Sequence, residues 1–426
     1  MGGGPRLTSG ATRPLAAVPT RSSYRAALCS LGLALVLLST AASSRAHDAW
    51  RGAHDAALSS PRAAADPAAD VRRHPPLARV NPATGRNHAF PKLAPFSVGK
   101  TRYFPYRFEG HVHTLHSRDA RQTTVDILHA AERLGLDALI ITDHGSSAAQ
   151  RDFAAYQGPL VPFIGREIGG DFGHAVMWNV AADDQSDPTH TTLAQRCRFA
   201  HEHGGLLVFA HPGWWIEGNE RNPMDWMTPE AMRHGGAAGD IDAIELWNGV
   251  YRSPLPGLIK AWEGLLAAGI YVPIVGNSDF HRFGAHHIGQ AHNLVFCDQP
   301  EPATCLWSSV RQGRSVVTDG AFATLIVNDQ LPGSVVTPRD ASLDVSVDVM
   351  SPDGGELRLY VGPRVVRSVE LAPEERTQAS WRLATPSSDS YVRIEIVRLA
   401  AVRGRPLISL LSNPVLIDVG DKHVWR

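Results

Sequence analysis

From about residue 104 onward, short apolar runs of strand length alternate with amphipathic stretches of helical spacing. In "TTVDILHAAERLG" (123–135) apolar residues recur at helical intervals and the pattern stops at Gly135, which predicts a helix. It feeds "LDALIITDH" (136–144), an apolar run that ends in a polar tip and reads as a buried strand. The theme recurs. "LVPFIGRE" precedes the helical stretch "TTLAQRCRFAHEHGG" and the strand "LLVFAHP"; "IDAIELWNG" precedes the helix "LPGLIKAWEGLLAAG" and the strand "YVPIVGNSDFH". Strands alternating with helices predict a parallel sheet covered by helices, and a stretch of roughly 200 residues suits a closed or distorted α/β barrel better than an open sheet.

Past "CLWSSVRQGRSVVTDG" (305–320) the helical spacing ends. "LDVSVDVMS", "GELRLYVG", "VVRSVEL", "TQASWRL", "YVRIEIVR" and "NPVLIDVG" alternate apolar and polar positions with turn residues between them. That pattern predicts an antiparallel, sandwich-like module over 321–426, following an α/β domain over 101–320. Residues 47–100 are rich in Ala, Pro and Arg and read as a surface or disordered linker.

Residues 1–46 read as an export leader. Arg21 and Arg25 flank the uncharged run "AALCSLGLALVLLSTAA" (26–42), and Ser44 and Ala46 offer a small-residue cleavage site. The run is nearly long enough to act as an uncleaved anchor, but no aromatic or basic belt closes its far side. Cleavage after Ala46 is the expectation, with no stable membrane insertion of the mature chain and a periplasmic or extracellular location. Export permits disulfides. The mature chain keeps Cys197, Cys297 and Cys305, so at most one internal bridge forms, and Cys297–Cys305 is the closer pair. No CxxC spacing makes cysteine a metal ligand.

Charge narrows the partners. Forty-one basic and 42 acidic residues leave a net charge of −1, and no basic stripe with interleaved aromatics marks a nucleic-acid surface. A small-molecule substrate is expected instead. The sequence does not specify an oligomeric state.

The chemistry gathers where the apolar runs end. "GHVHTLHSRD" (110–119) supplies His111, His113 and Asp119; "ITDH" supplies Asp143 and His144. Glu167 follows in "GRE", His174 in "DFGHAVMW", His211 in "AHP", and Asp279 with His281 in "SDFH". Strand residues two apart share a face, so His111 and His113 point together, and Asp279 and His281 likewise. Imidazole and carboxylate are the ligand set of Zn, Mn or Fe. A lone HxH or DH is ordinary strand-end chemistry; five separate strand ends each carrying such a residue are not. His116 and His129 lie outside the pattern, and His201 and His203 fit a helix C-terminus, where imidazole caps carbonyls.

Taken in order, "HVHTLHSRD", "ITDH", "GRE", "GH", "AHP" and "SDFH" resemble the signatures of the PHP (polymerase and histidinol phosphatase) superfamily of metallohydrolases. "ELWNG", "GRSVVTDG" and "LSNPVLIDV" further resemble its exported, carbaryl-hydrolase-like (CehA/McbA) branch. The resemblance covers about residues 105–420 and implies a distorted (β/α)7 barrel holding two or three divalent metals. By motif, one metal takes His111, His113, Glu167 and Asp279; a second shares Glu167 and adds His174 and His211; a third takes Asp119, His144 and His281. The sequence departs from the family at Gly110, which with Glu109 replaces the usual Asp-Leu before the first motif.

The implied reaction is hydrolysis by a metal-bridged hydroxide, with Glu167 as shared carboxylate and Asp279 or His281 as proton donor to the leaving group. A carbamate-bridged amidohydrolase is excluded by its missing lysine, since Lys260, on a helix, is the only one between His111 and Asp279. Two substrate classes stay open. A phosphate ester calls for nearby cations, for which Arg166, Arg252 and Arg282 are candidates. A carboxylic or carbamic ester calls for aromatic walls, for which Trp178, Trp214, Trp215, Trp247 and Tyr251 are candidates, with Asn248 and Asn277 as hydrogen-bond donors. The non-enzymatic alternative is a degenerate metal-bound scaffold whose β-module binds an extracellular glycan or surface.

Overall fold

A computed structural model describes residues 70–74, 89–170, 172–181, 192–213, 223–234, 240–251, 253–283, 287–399 and 406–420. Residues 1–46, the expected leader, together with Arg252, Trp214 and Trp215, lie outside the described residues. Among the described residues no helix is long and apolar enough to cross a membrane.

Two pieces of the expected linker are built into the fold. Strand β1 (Asp70–His74) pairs antiparallel with residues 376–380. Farther on, Phe90 donates its amide to Leu134 O at 2.6 Å and lays its ring over the Arg107 guanidinium and beside His292. β2 (Phe96–Val98) then turns into β3 (Thr101–Val112), the strand that carries the first histidines.

Helix α1 (Thr124–Leu134) forms where its spacing predicted. Thr123 caps it by accepting from the Asp126 amide, and Gly135 ends it in the left-handed region at φ 83°. A side chain at Gly135 would also meet the Phe90 carbonyl at 2.7 Å. β4 (Ala138–Ile141) lies parallel to β3, and β5 (Val161–Gly170) parallel to β4. The chain then doubles back. β6 (Gly173–Trp178) pairs antiparallel with β5, with Gly173 at φ 97°, a hairpin the regular strand–helix reading did not contain. α2 (Leu193–Glu202), β7 (Leu206–Ala210), the short helix α3 (Pro229–His234), β8 (Ala243–Asn248), α4 (Pro256–Ala267) and β9 (Ile274–Asn277) follow. β7 is antiparallel to β6, and β7, β8 and β9 run parallel. His203 caps α2 through Phe199 O as expected; His201 instead pairs with Asp242 Oδ2 at 2.8 Å.

The sheet curls until its two ends meet. His113 N donates to Phe280 O at 2.8 Å, just beyond β9, and Gly110 N donates to Asn277 Oδ1 at 2.8 Å. On the other side of β3 lies β10 (His292–Cys297), antiparallel, whose Asn293 amide brackets Gly276 by accepting from its N–H and donating to its carbonyl. α5 (Pro302–Gln312) packs behind β10, and Cys297 and Cys305 form the expected disulfide between them. Cys197 is buried outside that disulfide, and burial pushes its thiol up to about 12.

Residue 320 is not a break in the sheet. β11 (Ser315–Thr318) pairs with β10 and precedes β12 (Phe322–Val327), β13 (Val335–Val336), β14 (Ser342–Met350), β15 (Gly355–Val361), β16 (Arg364–Leu371), β17 (Arg376–Ala384), β18 (Ser390–Leu399), β19 (Pro406–Ser412) and β20 (Val415–Ile417). One sheet orders as β1-β17-β14-β12; the other runs β20-β18-β19-β11-β10 and so joins β3 directly. The faces meet in one core in which Leu294, Phe296 and Val316 pack with Leu325, Val347, Trp381 and Ile394.

Two consequences of burial are testable. Gly110 accepts the Trp178 indole N–H on its carbonyl at 2.6 Å, and a Cβ there would lie 2.4 Å from that ring. Gly110→Ala is therefore expected to cost about 1–3 kcal/mol in urea unfolding; an unchanged midpoint would remove the steric reason for glycine at this position. His292 is fully buried, donates from Nδ1 to Gly289 O, and accepts from Arg107 on Nε2 at 2.8 Å. Burial and the facing guanidinium push it down to about 3. Between that value and the ordinary 6.5 the unfolded chain takes up a proton that the fold refuses. Its contribution is complete above 6.5 and is lost as pH falls toward 3, by ~1.4 kcal/mol per unit. His292→Gln should flatten the fall of the urea midpoint from pH 6.5 to 4; an unaltered slope would exclude His292 as its source.

Candidate metal centre

The curl brings the strand ends to one point. His111, near the end of β3, and His113, the first residue past it, are both fully buried. Glu167 on β5 lies between them and three further imidazoles. His111 Nε2 is 3.5 Å and His211 Nε2 3.0 Å from Glu167 Oε1, and His174 Nδ1 is 2.7 Å from the same oxygen. His113 Nε2 is 3.4 Å and His144 Nδ1 3.0 Å from Glu167 Oε2. Asp279 Oδ1 completes the inner group at 3.4 Å from His111 Nε2 and 3.3 Å from His113 Nε2. An outer group surrounds Asp119 Oδ2, with His144 Nε2 at 3.1 Å and His281 Nε2 at 3.2 Å.

Three sets of ligand atoms are close enough to share an ion: His111, Glu167 and His211; His111, His113 and Asp279; and His113, Asp119, His144 and His281. The grouping implied by the motifs differs at each set: here the set with Asp279 lacks Glu167, the set with Glu167 and His211 takes His111 in place of His174, and the outer set gains His113. His174 meets Glu167 without belonging to any of the three. Burial distinguishes inner from outer: Asp279 is 4% exposed and Glu167 2%, whereas the Asp119 side chain is 50% exposed.

The inner atoms lack ordinary partners. His111 Nε2, His113 Nε2 and Asp279 Oδ1 are all buried without a well-formed hydrogen bond, although each of the first two lies within 3.4 Å of the third. Buried polar atoms are nearly always satisfied, so three converging exceptions fit a cation between them. Backbone strain agrees. His211 and Asp279 both sit in the left-handed region, at φ 27° and 51°, conformations that non-glycine residues hold only when their surroundings enforce them.

Protonation follows the same charge pattern. Burial pushes Glu167 up, but the facing histidines, His111 first, outweigh it and hold the carboxyl well below the usual range. Asp279 behaves alike, burial opposed and overcome by His111 and His113. In His111, burial acts downward and Asp279, Glu245 and Glu167 win, raising it well above the ordinary value. Hydrogen bonding to Glu167 raises His144 to about 9 despite partial burial. The carboxylates attract positive charge, which a proton or a metal ion can supply.

The support around the ligands was the part hidden from sequence reasoning. Glu245, fully buried on β8, takes a hydrogen bond from His111 Nδ1 at 3.1 Å, from the His211 amide at 2.9 Å, and from the Asn277 and Asn248 side chains at 2.8 and 3.1 Å. A carboxylate only accepts, so Nδ1 of His111 carries the proton and Nε2 turns its lone pair to the centre. A charged residue inside the apolar run "AIELWN" was the available signal. Ser117 Oγ lies 3.1 Å from His113 Nδ1 and accepts from the His144 amide. Asp143, offered by the "ITDH" motif, faces Thr114 through both oxygens and serves the loop, not the cluster.

The candidate substrate residues divide. Asn248 is buried and its amide nitrogen is engaged by Glu245 and Asp279, a supporting contact rather than a free donor. Arg166 is buried on β5, one position from Glu167 and therefore on the opposite face of the strand; Arg282 is exposed beside His281. Trp178 and Trp247 are fully buried, with their indole N–H groups given to Gly110 O and Tyr251 O. His116 pairs with Asp152 outside the cluster, and His129 with Glu132.

No family model and no curated protein matches this chain. Among solved structures it is similar to a two-domain Bacteroides vulgatus protein containing a predicted PHP-like metal-dependent phosphoesterase, at 15% identity, with 78% of this chain and 100% of that one covered and a TM-score of 0.44. It is also similar to a Bifidobacterium adolescentis protein named as a metal-dependent phosphoesterase, at 15% identity, 43% and 90% coverage and a TM-score of 0.32. An amidohydrolase from Chromobacterium violaceum, with bound sulfate and no metal, shares 17% identity over 49% of this chain and 96% of its own, with a TM-score of 0.33. Likenesses this distant decide nothing about chemistry, which here rests on the side chains.

Glu245 gives the decisive variant. Glu245→Gln keeps its volume but removes the charge that orients His111, and metal affinity measured by competition with a chelator should fall ~10–100-fold. Unchanged affinity would reduce Glu245 to a packing residue.

Proposed function

We propose that the protein is an exported, metal-dependent hydrolase of small-molecule esters, acting first of all on phosphate esters. The observation that carries this is the convergence of His111 Nε2, His113 Nε2 and Asp279 Oδ1, buried and unsatisfied, around a carboxylate faced by five imidazoles. The donor set fits two or three divalent ions of the Zn, Mn or Fe class. The curled sheet β3–β9 is read as the distorted (β/α)7 barrel of PHP type, in its carbaryl-hydrolase-like form.

Bound divalent ions would supply Lewis acidity and lower the pKa of water. The chain's own residues do the rest. Glu167 presents one oxygen toward His111, His174 and His211 and the other toward His113 and His144, so a single carboxylate serves both halves of the cluster. Glu245 and Asn248 fix His111 and Asp279 from behind. Asp279 is buried, whereas the His281 side chain is 18% exposed with Nδ1 held 2.9 Å from the Asp279 carbonyl, so His281 is the group placed to hand a proton to a leaving group.

Phosphate is favoured over a carbon ester by what stands at the mouth. Arg282 follows His281, and the exposed Arg121 donates its amide to His281 O at 3.1 Å, while Trp178 and Trp247 are core residues and form no wall. The test is a matched pair of a phosphate and a carboxylic or carbamic ester bearing the same aryl leaving group, with the mature chain from His47 loaded with Mn, Zn or Fe. Faster phosphate turnover, lost ~100-fold or more in Asp279→Asn, is the expected outcome. Faster turnover of the carbon ester would reassign the bond cleaved, and activity on neither with metal bound would return the protein to the scaffold reading.

A further inference from the structure

Large apolar side chains are exposed at four described positions, Leu115, Val250, Phe283 and Val335. Single exposed apolar residues are ordinary on any surface. Three of these four, however, each stand two positions beyond a residue of the metal centre: Leu115 after His113, Val250 after Asn248, and Phe283 after His281. The strand ends at which they sit are tied together by the backbone. Leu115 N donates to Gln122 O at 2.8 Å, and the neighbouring Arg121 N donates to His281 O at 3.1 Å, so the loop carrying Leu115 runs alongside the segment carrying Phe283. Val250 is held to the same centre through Asn248, whose Oδ1 accepts the Val250 amide and whose Nδ2 donates to Asp279 at 3.2 Å.

Phe283 is not a loose side chain. Its ring packs edge-on against Phe280 at 5.0 Å, and Phe280, fully buried, is the residue that closes the sheet onto β3. The aromatic face is thus anchored to the frame of the site while 49% of the residue stays open to solvent. Leu115 is 56% exposed. The core tryptophans cannot supply such a surface, because both are wholly buried.

We infer that Leu115, Val250 and Phe283 form an apolar lip at the mouth of the metal centre, and that the substrate is an ester carrying an aryl or branched-alkyl group that rests on this lip. The lip sets specificity through binding and takes no part in bond breaking. The inference rests on the hydrolase reading only for the word substrate, and its test is one of binding.

The full metal-loaded chain is titrated with phenylphosphonate and with methylphosphonate, two anions with the same charged end and different apolar groups. Phenylphosphonate should bind at least ~10-fold more tightly, and that ratio should fall toward one in Phe283→Ser and in Leu115→Ser. Val335→Ser, at an exposed apolar position of the C-terminal module, should leave the ratio as it is. Equal binding of the two probes by the unaltered protein overturns the lip while leaving the metal-dependent reading untouched. A ratio that survives in both Phe283→Ser and Leu115→Ser overturns the assignment to these residues, as does failure of phenylphosphonate to bind; methylphosphonate binding too weak to detect beside bound phenylphosphonate counts as the expected preference. If the preference is present but neither phenyl phosphate nor the matched carbon ester is turned over, the lip stands and the hydrolase reading falls.

Discussion

One buried carboxylate with five imidazoles within 3.5 Å is the constraint to which the rest of the chain answers. An ionised group removed from water is costly unless charge and hydrogen bonds compensate it. Glu167 finds that compensation because β3, β4, β6 and β7 deliver imidazoles at or just past their ends to within ångströms of it. No single helix or hairpin could bring residues 111, 144, 174 and 211 to one point. A sheet that curls on itself can, and the strain at His211 and Asp279 shows where the backbone yields to the arrangement.

Closure of that curl joins the buried Val112 and Phe280 through apolar packing and adds a set of small polar groups. Asn277 receives the Gly110 amide and gives its own amide to Glu245; Asn293 brackets Gly276 by both of its atoms. Glu109 accepts the Ser278 amide at 2.9 Å, the Ser278 hydroxyl, and the Gly289 amide at 2.6 Å, and so fixes the chain just before Asp279. The glutamate before Gly110 thus clamps the far end of the curled sheet against β3. Burial pushes that carboxyl up to about 7 even with these donors around it, a measure of how dry the position is.

Much of this was legible in the sequence, and the limits have a physical reason. The clustered histidines and carboxylates could be picked out because strand periodicity places such residues at the ends of apolar runs. Helix α1 could be read because its cap, its spacing and its terminal glycine are all local. Glu245 could not be placed, since its partners His111 and Asn277 lie 134 and 32 residues away. The β5–β6 hairpin was missed because "GHAVMW" offers too few residues to set a period, and its pairing is decided by the glycines before it. Asn248 was recognised as polar and near the site, but whether its amide faces a ligand or a supporting carboxylate depends on contacts no local pattern encodes.

The ladder that runs unbroken from β20 through β18, β19, β11 and β10 into β3 has a mechanical meaning. Hydrogen-bonded strands resist bending across their length, so the C-terminal sheet and the strand bearing His111 and His113 move as one plate. A cleft enzyme whose lobes meet at a flexible joint can open its site by rotation about that joint. Here the stiff direction crosses the boundary at residue 320, and admission of ligand falls to the loops at the strand tips. Under the proposed function, selectivity would be decided at the doorway, by the side chains that stand there, rather than by how far two halves can swing apart.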